Sequence, residues 1–181
     1  MPIVLITGAN GFIGSNLCRH FLERGWEVHG LVRASSDLHF IEGLPVRLVR
    51  GDLRRADVEA LPRVADCVIH AASLVSDIVG FEDSVRGTYE PVIGLVEALR
   101  RQGVRFGRLL FISTALVLGW HRLGISEERP GSPVWSMGYP RAKRMAEEYL
   151  LAERRTTGLP VVILRPADVY GPNDRTTLAM M

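Results

Sequence analysis

Lysine is almost missing from this chain: of its 22 basic residues, 21 are arginine and one is Lys143. The arginines are spread along the chain without a dense basic block and the formal net charge is only +2, which excludes an electrostatic footprint for nucleic acid. Cysteine is nearly as scarce. Cys18 and Cys67 are too few for a disulfide framework and lack metal-ligand spacing, so they read as reduced core thiols. The five histidines (His20, His29, His39, His70, His121) form no close pair of ligand type, and no metal site is expected. Long apolar runs are absent as well. No stretch approaches the roughly 18 apolar residues of a membrane span, and the first run, Ile3 to Ile6, is only strand-length. The N-terminus has no basic region followed by an apolar stretch and a cleavage site, so a cytoplasmic protein without a membrane partner is expected.

What remains is the composition of a soluble globular domain, 47% hydrophobic and 23% charged over 181 residues, with no repeat or low-complexity segment. Short apolar runs alternate with helical patterns. Six strands are predicted: Ile3 to Thr7, Val28 to Val32, Val46 to Val49, Cys67 to His70, Leu109 to Ile112, and Val161 to Leu164. Ile13, Leu17 and Phe21 form one stripe of a helix that ends at Gly25, and Gly94 to Arg101 and Arg141 to Arg155 read as further helices. Such alternation predicts an α/β, doubly wound parallel sheet over residues 1–181 as one domain. Sheets of this kind bind ligands at the carboxyl ends of their strands, where the strand order reverses.

Thr7-Gly8-Ala9-Asn10-Gly11-Phe12-Ile13-Gly14 lies where the first strand hands over to the first helix. Gly8 permits the tight turn, Gly11 lets backbone N–H groups reach a pyrophosphate, and Gly14 allows helix and strand to pack closely. The helix N-terminus adds partial positive charge. Gly8, Asn10, Gly11, Phe12 and Ile13 are therefore candidate cofactor-binding residues. About 20 residues beyond such a turn an acid would favour NAD(H); here stand Val32-Arg33-Ala34-Ser35-Ser36, and Arg33 with two serines suits a 2′-phosphate. NADP(H) is thus favoured over NAD(H), the alternative being an Arg33 that merely covers the adenine face. Asp52 and Leu53 follow the third strand, where an aspartate either accepts from the adenine amino group or is an exposed loop acid. Ala71, Ala72 and Ser73 close the fourth strand with small side chains that admit a dinucleotide, and His70 reads as a hydrogen-bonded structural residue.

The single lysine stands four residues after a tyrosine, in Tyr139-Pro140-Arg141-Ala142-Lys143. That offset puts both side chains on one helical face. An ammonium there favours the tyrosinate and lowers a phenol from its usual value of about 10, so Tyr139 can exchange a proton at a carbonyl or alcohol. Thr114, at the end of the fifth strand, would hold the same oxygen; the bland alternative for Ser113 and Thr114 is that they satisfy local backbone.

In order, Thr7-Gly8-x-x-Gly11-x-x-Gly14, Asp52-Leu53, His70-Ala71-Ala72, Ser113-Thr114, Tyr139-x-x-x-Lys143, Arg165-Pro166 and Tyr170-Gly171-Pro172 resemble the extended short-chain dehydrogenase/reductase superfamily. Within it the chain is similar to the NAD(P)-dependent epimerase/dehydratase and dihydroflavonol-reductase-like enzymes, and the likeness runs over essentially all 181 residues. The resemblance implies a Rossmann fold with Tyr139 as acid/base, Thr114 orienting the substrate, and Lys143 also binding the nicotinamide ribose. Pro166 and Val169 would lie near the nicotinamide, and helices around 83–101 and 139–157 would form a homodimer. A nucleotide sugar or a small ketone or aldehyde is the implied substrate.

Departures narrow this. Ala115 and Leu116 stand where 4,6-dehydratases of the family carry Asp-Glu, which disfavours dehydration. Ser84-Val85-Arg86-Gly87-Thr88 replaces Asn-Val-x-Gly-Thr, Pro91 should kink or delay its helix, and Leu118 replaces a tyrosine. Extended members continue past this point into a small substrate-closing domain, so that part is expected to be absent here. The competing reading is a dinucleotide sensor or scaffold without turnover, or an inactive fragment.

Overall fold

A computed structural model describes residues 1–55, 57–75, 79–119, 126 and 136–174. Its strands are β1 (Ile3–Thr7), β2 (Glu27–Val32), β3 (Arg47–Asp52), β4 (Asp57–Val58), β5 (Val64–His70), β6 (Arg105–Ile112) and β7 (Val161–Leu164). They form one sheet in the order β4-β3-β2-β1-β5-β6-β7. All pairings are parallel except that of β3 with β4. The expectation of six strands is thereby corrected to seven. The extra one has two residues, Asp57 and Val58, paired with Gly51 and Asp52, too short to leave a periodic signal.

Helices α1 (Phe12–Glu23), α2 (Phe81–Ser84), α3 (Glu90–Arg101) and α4 (Gly138–Thr157) cover the sheet. Alternate side chains of a strand point to opposite faces, and each face has its own core. Val4, Ile6, Val28, Val32 and Ile69 pack with Cys18 of α1. Leu5, Leu31, Val68, Leu109 and Phe111 pack with Val92, Leu95 and Leu99 of α3 and with Ala146 and Leu150 of α4. A sheet covered on both sides explains why its strands read as continuous apolar runs rather than alternating ones. Both cysteines are free thiols, and burial pushes that of Cys18 up to about 12.

Pro91 acts as its lack of an N–H requires. α2 stops at Ser84, a π-helical turn runs over Val85–Tyr89, and α3 begins with Pro91 in its first turn. Pro91 cannot donate to the Gly87 carbonyl, and that carbonyl accepts from the Leu74 N–H instead, at 2.9 Å. The helix is delayed, and the Gly87 carbonyl anchors the irregular segment that follows β5.

Candidate functional site

The chain passes from β1 outward to β2 and β3, then returns to β5 on the other side of β1. The connections leaving the carboxyl ends of β1 and β5 therefore lead to helices on opposite faces, which makes this the switch point where such sheets hold a ligand in a crevice. Gly8 lines it with a left-handed φ of 67°, and a Cβ there would lie 2.8 Å from the Ala72 Cα. A Cβ on Gly14 would come within 2.0 Å of the Gly8 carbonyl oxygen, so helix and turn touch through backbone alone. Gly11 caps α1 without a side-chain hydrogen bond, and no acid sits in the first turn. The first N–H groups of the helix are left for an anion. Asn10 spends its amide on the Asp37 carbonyl at 3.0 Å, pinning the turn to the segment after β2.

At the end of β2 the Arg33 N–H donates to Ser36 Oγ at 3.1 Å and the Arg33 carbonyl accepts from the Ser36 N–H at 3.0 Å, leaving the guanidinium exposed. Arg50 of β3 pairs with Val32 and reaches the Ala34 carbonyl at 3.5 Å, which adds a second cation here. Sequence reasoning missed Arg50 because only the strand register brings it to Arg33. Asp52 is less free than expected. It accepts from Arg54 Nε at 3.1 Å, Nη2 at 2.7 Å and N–H at 3.0 Å. Those hydrogen bonds hold its carboxyl down to about 2. Leu53 points its side chain into the core. The Ala72 N–H donates to Thr7 Oγ1 at 3.2 Å, Ser73 shares a 3.0 Å hydrogen bond with Thr88 Oγ1, and Ala71 is half-buried beside them.

The carboxyl end of β6 gathers the other residues. Tyr139 stands in the first turn of α4 at 9% exposure, and Lys143 one turn on at 2%. Lys143 Nζ donates to the Ile112 carbonyl at 2.5 Å and lies 4.8 Å from the Phe111 ring centre and 5.7 Å from that of Tyr139. Burial lowers the ammonium to about 7, against the opposing pull of Glu147. Thr114 follows β6; its Oγ1 accepts from the Leu116 N–H at 3.3 Å, which leaves the hydroxyl proton to donate. Ser113 donates to Glu147 Oε1 at 2.5 Å, so its role is structural. The Pro166 carbonyl accepts from the Ala115 N–H at 2.8 Å, and Val169 is exposed beyond it.

His70 is buried, bonded through Nδ1 to Thr7 Oγ1 at 2.8 Å and stacked on Phe111. Burial drives it down to about 3, so it is neutral across the physiological range, and its Nε2 has no hydrogen-bond partner among the described residues. Ser84, in the place of the family's asparagine, donates to the Gly80 carbonyl at 3.1 Å. Glu147 went unnoticed in the sequence; its signal was an acid four residues after Lys143, on the buried face of α4. Among the described residues no group of three or more His, Cys, Asp or Glu could hold a metal ion, and His121 lies outside them.

A two-sided parallel sheet with an uncapped, glycine-lined helix start at its switch point defines a dinucleotide-binding protein of the Rossmann type. Its residues 4–181 match the NAD dependent epimerase/dehydratase family, and the chain belongs to that family, of the extended short-chain dehydrogenase/reductase type. It is 35% identical over 179 residues to sterol demethylase protein B of Methylococcus capsulatus, covering 94% of this chain and 52% of that one. It is 30% identical over 181 residues to a 3 beta-hydroxysteroid dehydrogenase/Delta 5→4-isomerase of Mycobacterium tuberculosis, covering 96% and 48%. Among solved structures, UDP-glucuronic acid 4-epimerase from Bacillus cereus in complex with NAD superposes with a TM-score of 0.75 at 26% identity, covering 96% of this chain and 58% of the epimerase. The chain thus spans about half the length of the relatives it matches. No described helix is long and apolar enough to cross a membrane.

Proposed function

We propose that residues 1–181 form the cofactor-binding and acid–base part of an NAD(P)-dependent oxidoreductase or epimerase, with NADP(H) preferred. The observation that carries this is the one lysine of the chain. It is buried beside Tyr139 at the carboxyl end of β6, and lysine is almost never fully buried unless something requires it. When bound, a nicotinamide would supply or accept the hydride. The backbone N–H groups of Phe12 and Ile13 would take the pyrophosphate, and Arg33 with Arg50 a 2′-phosphate. Lys143 would hold the nicotinamide ribose, and Pro166 and Val169 would flank the ring. Thr114 donates to the substrate oxygen, and Tyr139 gives that oxygen a proton in reduction or removes one in oxidation.

A secondary alcohol or ketone of steroid or small-ketone type suits the names of the sequence relatives, a nucleotide sugar that of the solved epimerase. Ala115 and Leu116, where an elimination pair would stand, and Arg33 incline the reading toward a reductase. α3 lies beside α4, tied by Arg100 to Glu153 at 2.7 Å and, through the π-helical turn before it, by the Tyr89–Tyr149 ring contact, and the two offer a joint face for a homodimer. A sensor without turnover is the second reading, favoured by the Ile112 carbonyl bond that gives Lys143 a structural use. Turnover of a substrate panel separates the two, read as NADPH consumption with 3-oxo steroids and small ketones and as epimer formation with nucleotide sugars, where the cofactor is regenerated. Turnover that is lost in Tyr139→Phe supports catalysis; wild-type turnover within a few-fold in Tyr139→Phe rejects the proton-transfer role.

A further inference from the structure

Tyr139, Lys143 and Glu147 recur every four residues along α4 and so form one stripe. Glu147 is 1% exposed, yet the acid–base chemistry above does not use it. Its Oε1 accepts from Ser113 Oγ at 2.5 Å and from Arg165 Nε at 2.9 Å, and its Oε2 from Arg165 Nη2 at 2.7 Å. The guanidinium thus meets the carboxylate as a fork, the geometry that orients both partners. Ser113 follows β6 and Arg165 follows β7. The two strand ends are tied further by the Ser113 N–H to the Leu164 carbonyl at 2.7 Å and the Ala115 N–H to the Pro166 carbonyl at 2.8 Å. One carboxylate therefore joins α4 to both strand ends that carry the proposed site. Stability alone is a weak reason for it, since well-packed apolar residues often replace buried ion pairs without loss.

The surroundings of Lys143 supply a reason. From β5 it faces His70, which is neutral; from β6, the Phe111 ring and the Ile112 carbonyl. From its own helix it faces Tyr139 and Glu147, and Arg165 stands beyond Glu147. Glu147 is the one anion in that set. We propose that Glu147 is a positioning residue of the catalytic centre: clamped by Ser113 and Arg165, its carboxylate fixes the buried stripe of α4 that carries Tyr139 and Lys143 against the ends of β6 and β7, and sets a negative charge one helical turn from the Lys143 amine. This rests on the acid–base reading of Tyr139 and Lys143 but is tested without substrate or cofactor, so failure of one is distinguishable from failure of the other.

Because the chain holds a single lysine, protein labelled with 13Cε-lysine gives one side-chain resonance to titrate. Glu147→Gln should lower its midpoint by on the order of one to two pH units, the effect of removing an opposite charge one helical turn away. Arg165→Gln should raise it, because the carboxylate is then no longer neutralised from its far side. Opposite shifts establish the role. An unmoved midpoint in Glu147→Gln, or a fall of equal size in both variants, reduces Glu147 to packing and overturns the proposal. If Glu147→Gln does not fold, Arg165→Gln decides alone: a rise supports the role, and a fall or no change overturns it.

Discussion

The two flanks of β1 prepare for a ligand by opposite means. On the β2–β3 side, under α1, the work is done by backbone and by missing side chains: Gly8 against Ala72, Gly14 against the Gly8 carbonyl, and uncapped N–H groups at the helix start. On the β5–β7 side, under α3 and α4, it is done by buried ionisable side chains, His70, Lys143 and Glu147. Backbone donors hold an anion at any ordinary pH. Buried titrating groups tie their half of the site to protonation, which is what proton exchange with a substrate requires. Phosphate recognition on one flank and proton exchange on the other should therefore be separable by mutation.

The largest separation is expected from Tyr139→Phe, which should cut turnover by at least about 100-fold while leaving calorimetric affinity for NADP+ within a few-fold. Loss of both together would mean that the two flanks do not act independently. Next is Gly14→Ala, whose new methyl must displace backbone; a loss of about 3 kcal/mol is expected in urea unfolding, with dinucleotide affinity falling in step.

Smaller effects appear as pH dependence, and between about pH 5 and 8 they should come mainly from the β5–β7 flank, since Asp52 and Cys18 on the other flank titrate outside that range. His70 is pushed from 6.5 to about 3 in the folded protein, so as pH falls below 6.5 the unfolded chain takes up a proton that the native one refuses. Stability falls through that window by up to about 1.4 kcal/mol per pH unit, and His70→Asn should flatten the curve. Lys143 is depressed from 10.5 to about 7, so between those values the unfolded chain again binds more protons and stability rises with pH. Lys143→Met should remove that rise; equal slopes in wild type and variant would contradict the burial of a titrating amine. The smallest effect belongs to the other flank. Arg33→Ala should weaken NADP+ about tenfold, the worth of one exposed phosphate contact of about 1.4 kcal/mol, and leave NAD+ unchanged. Tighter NAD+ than NADP+ in the wild type would undo the cofactor preference.

The same contrast explains what could be read from the residues alone. Glycines announce a backbone site because few other roles place three of them between a strand and a helix, and Ile3–Thr7 with α1 stands where the pattern puts it. The apolar run Val46 to Val49 ends short of β3, because Arg50 joins the strand only by its register with Val32, and Gly51 and Asp52 only by pairing with β4. Pro91 foretold a late helix; that the freed carbonyl would capture Leu74 depends on a loop 13 residues earlier in the chain. Glu147 was hidden for a different reason: a glutamate on a helix is ordinarily solvated, and only Arg165, 18 residues later, makes burial tolerable.

The placement of Lys143 at the nicotinamide end of the crevice is tested most directly by its single side-chain resonance during titration with NADP+ and, separately, with adenosine 2′,5′-bisphosphate, which fills only the adenosine end. The dinucleotide should shift the lysine signal to saturation in step with the calorimetric binding curve, and the half-ligand should bind and leave it in place. Saturating NADP+ with the lysine signal unmoved would contradict the assignment of Tyr139 and Lys143 as the reacting centre.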